Sequence, residues 1–81
     1  MSRVLSMAER RVDATEREAY LATLTTRRAA AAAAQAHFWV FEHADDGGRF
    51  VEFTEAASDG AIVAARGHDA PVALWREVQG G

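Results

Sequence analysis

Cysteine is absent from this 81-residue chain. Disulfide frameworks, thiol nucleophiles and cysteine-bound metals go with it. Lysine is absent too, so all nine basic side chains are arginines, and there is no asparagine. No apolar run reaches the ~20 residues that a membrane-spanning helix needs, and no secretory leader pattern is present. Those absences predict a cytoplasmic protein with no membrane partner. The formal net charge of −3 argues against a nucleic-acid partner, because no basic field faces a phosphate backbone. No Ser-His-Asp spacing, phosphate-cradling glycine loop or metal motif occurs, so no cofactor and no metal are expected.

What remains is one small domain over residues 1–81. A core of this size is marginal alone, and self-association is its natural supplement. Alanine is the commonest residue, and with arginine-only basicity this bias is that of a GC-rich bacterial coding sequence.

The clearest signal lies in residues 36–56. His37–His43 and Arg49–Glu55 are rich in Phe, Trp, Val and Thr, which suit a pleated surface. Ala44-Asp45-Asp46-Gly47-Gly48 separates them, and Asp46-Gly47 is the pair that a type I′ turn requires. A two-residue loop there pairs His43 with Phe50 and Val40 with Phe53. It groups His37, Trp39, Phe41, His43, Phe50 and Glu52 on one face. A five-residue loop instead pairs His43 with Arg49 and puts Trp39 and Phe41 with Val51 and Phe53. The turn chemistry favours the first register, and a one-residue slip exchanges the faces. In either register both faces are apolar, so both need covering.

Residues 1–12 read as a strand. Nothing before Gly47 is glycine or proline, so one helix over residues 4–34 is the competing reading. Thr15-Glu16-Arg17-Glu18 matches a capping box and marks a fresh helix start, giving a helix over 16–35 with Tyr20, Leu21, Leu24 and Ala31 inward. A shorter helix follows over 58–66, capped by Ser58 or Asp59 and ended by Gly67, with Ile62 and Ala65 inward. Gly67–Pro71 is a turn, and residues 72–78 alternate as a last strand. The order β-α-β-β-α-β is that of an α+β, ferredoxin-like antiparallel sheet with both helices on one face.

On these residues the chain resembles the dimeric α+β barrel superfamily, and within it the antibiotic-biosynthesis-monooxygenase-like domains. The resemblance is carried by Glu18–Ala34 with its Arg27-Arg28 pair, by His37–Glu42, by Asp45–Val51 and by Leu74–Val78. It implies sheets packed face to face in a homodimer, and a small-molecule pocket between sheet and helices. Members of that superfamily include cofactor-independent oxygenases of aromatic polyketides, haem-degrading enzymes and proteins of no known activity. Catalytic members often use an asparagine with Trp, Tyr or His, and with no asparagine here that constellation is not carried over. The expected function is a small dimeric domain binding a small, aromatic molecule, with cofactor-independent oxygenation as the implied chemistry. The alternative is a non-catalytic dimerisation or ligand-sensing module.

The candidate ligand-binding or interface residues are Arg28, His37, Trp39, Phe41, His43, Phe50 and Glu52. Arg28 is a cation near the inward sector of the first helix, suited to an anionic ligand. Trp39, Phe41 and Phe50 form the face expected to meet a second copy, and the first two also suit stacking on a flat ligand. His43 beside Glu52 makes an imidazole–carboxylate pair suited to a general base. Glu42 is a carboxylate whose burial would raise its pKa. His37 and His43 are six strand residues apart, roughly 20 Å, too far for one metal. His68 falls in the turn.

Overall fold

In the computed structural model, residues 3–66 and 73–78 are described. Strand β1 spans Val4–Arg11, and the chain breaks direction just after Asp13, whose backbone is still extended (φ −64°, ψ 152°). That break excludes the single long helix. A short 3-10 turn, Ala14–Glu16, then leads into helix α1, Arg17–Ala33. Thr15 therefore lies inside a helical turn. The extended N-cap geometry falls on Asp13, neither start carries a side-chain cap, and the expected capping box does not form.

Helix α1 stops in a Schellman turn. Gln35 takes a left-handed φ of 58°, the Ala36 N–H donates to the Ala31 carbonyl at 2.8 Å, and the Gln35 N–H donates to Ala32 at 3.0 Å. Ala31 and Ala36, joined by that bond, are both in the core. Strands β2, His37–Glu42, and β3, Arg49–Ala56, form the hairpin. Helix α2, Asp59–Arg66, begins where the Ser58 hydroxyl accepts the Ala61 N–H at 3.2 Å, as a capping serine should. Strand β4 is Leu74–Arg76, shorter than the alternation over 72–78 suggests. Gly67, His68 and Pro71 lie outside the described residues.

The four strands form one open antiparallel sheet in the order β2-β3-β1-β4. This α+β arrangement with two helices is compatible with a ferredoxin-like fold. Both helices lie on one sheet face, where Val4, Ala31, Ala36, Ala56, Ile62 and Ala65 form the core and Phe38 packs against it. Ile62 and Ala65 turn inward as the sequence predicts.

The hairpin takes the five-residue loop. Trp39 faces Phe53, Phe41 faces Val51 and Glu42 faces Phe50, and the His43 N–H donates to the Arg49 carbonyl at 2.8 Å. The two-residue turn at Asp46-Gly47 needs positive φ at both positions, but in this loop only Gly48 has it, at 87°. Two contacts hold the loop in this form, the first of them from outside the hairpin. The Gly48 carbonyl accepts the Val12 N–H at 2.8 Å, and the Gly48 N–H donates to Glu42 Oε2 at 2.9 Å. The β3 side chains therefore exchange faces relative to the turn-based register, while those of β2 keep theirs.

A Cβ at Gly48 would lie 2.6 Å from the Val12 carbonyl oxygen, whereas at Gly47 its nearest neighbour is 3.9 Å away. Gly48→Ala should therefore cost about 1–3 kcal/mol. Gly47→Ala should be nearly silent. Urea melts of the two variants check this, and equal losses would count against the loop geometry.

Candidate functional site

Tyr20, Leu24, Arg27 and Ala31 recur at helical spacing on the α1 face that meets the sheet. Below them, Glu52 projects from β3, between Ala8 of β1 and Val40 of β2. Its side chain is 1% exposed. Arg27 grips it as a fork, Nη2 to Oε1 at 2.8 Å and Nη1 to Oε2 at 2.9 Å. The Tyr20 hydroxyl donates to Oε2 at 2.5 Å, and Arg10 Nε approaches Oε2 at 3.0 Å. Aromatic rings brace the cluster: Arg27 lies over Phe38 at 4.9 Å, and Tyr20 packs on Phe50 at 4.7 Å.

Burial pushes the Glu52 carboxyl up, but the hydrogen bonds from Arg27 and Tyr20, with the positive charge of Arg27, outweigh it and hold the carboxyl below its ordinary value. Burial, then the bond to Glu52, raises the Tyr20 phenol, which stays protonated as the donor. Both carboxylate oxygens are thus engaged, and the hub acts as a clasp between α1, β3 and β1. A second clasp joins Glu42 to Arg17 at 2.6 and 2.8 Å. Arg17 and the Gly48 N–H lower the Glu42 carboxyl to about 2, the reverse of the raised value expected for a buried carboxyl.

Beside the hub lies a cleft of about 730 Å³, lined by Arg10, Arg11, Val12, Glu16, Ala19, Tyr20, Thr23 and Arg27. It runs between the first half of α1 and the end of β1.

Among the described residues, the other sheet face carries no helix. Across it run three rows of paired residues: Phe41–Val51–Glu9, Trp39–Phe53–Met7 and His37–Glu55–Leu5–Trp75. Met7, Trp39, Phe41 and Trp75 are 42–57% exposed. His37 stacks on Trp39, and Phe41 meets Phe53 edge-on. Ion pairs border the patch: Arg49–Glu9 at 3.1 Å and Arg11–Asp46 at 2.8 Å at one end, Arg3–Glu55 at 2.6 Å at the other.

The seven candidate residues therefore divide. His37, Trp39 and Phe41 share the bare face. Phe50 and Glu52 lie buried beneath α1, which removes Phe50 from the exposed patch. His43 follows β2, and its Nδ1 accepts the Asp45 N–H at 3.0 Å; with Glu52 on the opposite face, the imidazole–carboxylate pair does not form. Arg28 is exposed, and Arg27, one residue earlier, is the arginine that reaches the sheet. Tyr20, Arg27 and Arg10 were not among the candidates. The seven-residue spacing of Tyr20 and Arg27, two turns of helix, is the signal that pairs them. Among the described residues no cluster of three metal-ligating side chains occurs, and no helix is long and apolar enough to cross a membrane.

Glu52→Gln removes the charge while keeping the shape, and leaves Arg27 and Arg10 facing a neutral amide. A stability loss of roughly 2–3 kcal/mol is expected, smaller if the partly exposed arginines are rescued by water. Acid acts in the same direction. Glu42, Asp46, Glu52, Glu55 and Asp59 all have carboxyls lowered in the folded state. Their contribution is complete above the unfolded carboxyl range and is lost as pH falls from about 5 through about 2. Urea midpoints should be level between pH 7 and 5.5 and drop steeply by pH 3. A flat profile would mean that these pairs add nothing.

Compared with known proteins, the chain matches no family model, no curated protein and no solved structure.

Proposed function

We propose that this chain is a homodimerisation module, a ferredoxin-like domain whose bare sheet face packs on that of a second copy to form a dimeric α+β barrel. The supporting observation is the bare face, an apolar centre bordered by ion pairs, which is the layout of a subunit interface. Its four half-exposed large side chains present roughly 400 Å² per copy at ~200 Å² for each full side chain. Leu5, Val51, Phe53 and the border bring the face toward the ~800 Å² per partner of a standard interface. At about 25 cal/mol/Å² the four alone give a gross gain of roughly 10 kcal/mol per copy. That offsets an association cost on the order of 4–15 kcal/mol.

Catalysis finds less support than assembly. A cofactor-independent oxygenase needs a base free to take a substrate proton. Glu52 is occupied by Arg27, Tyr20 and Arg10, and Tyr20 is held protonated.

Light scattering at micromolar concentration should give twice the chain mass. Trp39→Glu buries a carboxylate in the interface and should give a monomer or an unfolded chain. A monomeric native chain, or a folded dimer of Trp39→Glu, would refute this reading.

The cleft beside α1 favours a second reading, in which the dimer also holds a small flat molecule. Its volume is within the range of small-molecule sites. A panel of flat aromatic acids should then include compounds that raise the melting temperature of the native chain but not of Thr23→Trp, which fills the cleft from its exposed wall. Equal responses in both proteins would sink the idea.

A further inference from the structure

Among the described residues, β2 pairs with β3 along one side and with no strand along the other. The His43 N–H points to Arg49 of β3. Alternation along an antiparallel strand then turns the backbone N–H and C=O groups of Phe38, Val40 and Glu42 toward the open edge. Proteins usually blunt such an edge with lysine, proline, a bulge or brevity. The opposite edge, β4, is only three residues long and carries Arg76, followed by Glu77. β2 has six residues, HFWVFE, with neither lysine nor proline, and it pairs one-to-one with β3 without a bulge. Glu42, its one acidic side chain, is drawn back to Arg17 and Gly48.

We propose that the outer edge of β2 is a second self-association site, taking β2 of another copy antiparallel to extend the sheet. The segment is complementary to itself in one register. With Val40 opposite the second copy's Val40 on a two-fold axis, Phe38 pairs with the second copy's Glu42. All the outward backbone groups are then answered. On the bare face, Trp39 comes beside the second copy's Phe41, an aromatic cross-strand pair. On the other face the two half-buried Val40 side chains cover one another. The axis is perpendicular to the sheet, so this contact leaves the bare face free and is compatible with the face-to-face dimer. A six-residue edge makes a smaller interface than the face, so it fills at higher concentration.

Sedimentation from micromolar to near-millimolar concentration separates the two contacts. The native chain should pass from two chains to a larger even number. Val40→Pro, which removes an outward N–H and suits an edge strand, should stay at two with an unchanged circular dichroism spectrum. If Val40→Pro does not fold, Val40→Lys decides, because it sets like charges against each other on the axis. A native chain that stops at two, or an edge variant that associates as far as the native chain, overturns the edge proposal and leaves the face-to-face dimer standing. A native chain of one at micromolar concentration refutes the face reading instead. The edge proposal then rests on whether Val40→Pro abolishes a doubling at high concentration.

Discussion

Glu52 and Arg27 hold the sheet layer to the helix layer, and much else follows from that contact. Glu52 sits on β3, a central strand, and Arg27 near the middle of α1, so a two-pronged bond between them fixes the rotation of the helix. With Arg27 turned to the sheet, Leu24 and Ala31 enter the interior and Arg28 faces solvent. A buried carboxylate is costly unless its lone pairs are filled, and here two arginines and a phenol fill them. Arginine suits the task because its planar fork matches a carboxylate at two points, which a lysine ammonium cannot do. The same two-pronged pairing recurs at Arg17–Glu42, Arg3–Glu55 and Arg76–Asp59. The absence of lysine thus has a structural counterpart in an arginine-clasped fold.

The elements were largely legible in the sequence because each carries a local signal. Aromatic and β-branched runs mark the hairpin, the alanine-rich stretch marks α1, and Ser58 marks the start of α2. The hairpin register was not legible, because the contacts that set it are not local. Asp46-Gly47 asks for a tight turn by itself, and what overrides it is Val12, thirty-odd residues away, bonded to the Gly48 carbonyl. The hub was hidden for the same reason. Glu52 belongs on the helix side only once the register is known, and Arg27 becomes its partner only once the helix rotation is known. The capping box at Thr15 was a local pattern overruled by a 3-10 turn that begins one residue earlier.

The slipped register also changes the chemistry on each face. It carries Phe50 and Glu52 beneath α1 and brings Val51 and Phe53 out beside Trp39 and Phe41. The bare face thereby exchanges Phe50, Glu52 and Thr54 for Val51, Phe53 and Glu55, and its carboxylate moves to the border, where Arg3 holds it. In the other register Glu52 would lie among aromatics with no helix arginine above it. One residue of slip thus satisfies the buried acid and leaves the centre of the open face apolar.

The distribution of side-chain size gives a further reason for the open face to be covered. Half of the buried apolar residues on the helix side are alanines, with Val4, Leu24, Ile62 and Phe50 as the larger members. Small side chains let α1 and α2 approach the sheet closely, but each buries little area, and burial scales with area. Trp39, Phe41, Phe53, Met7 and Trp75, among the largest apolar side chains of the chain, are on the other face. Much of the hydrophobic free energy in this sequence is thus realised only when that face leaves water. In the proposed dimer, folding and association draw on the same surface, so the stability of the fold should rise with protein concentration, as it does wherever a partner binds the native state alone.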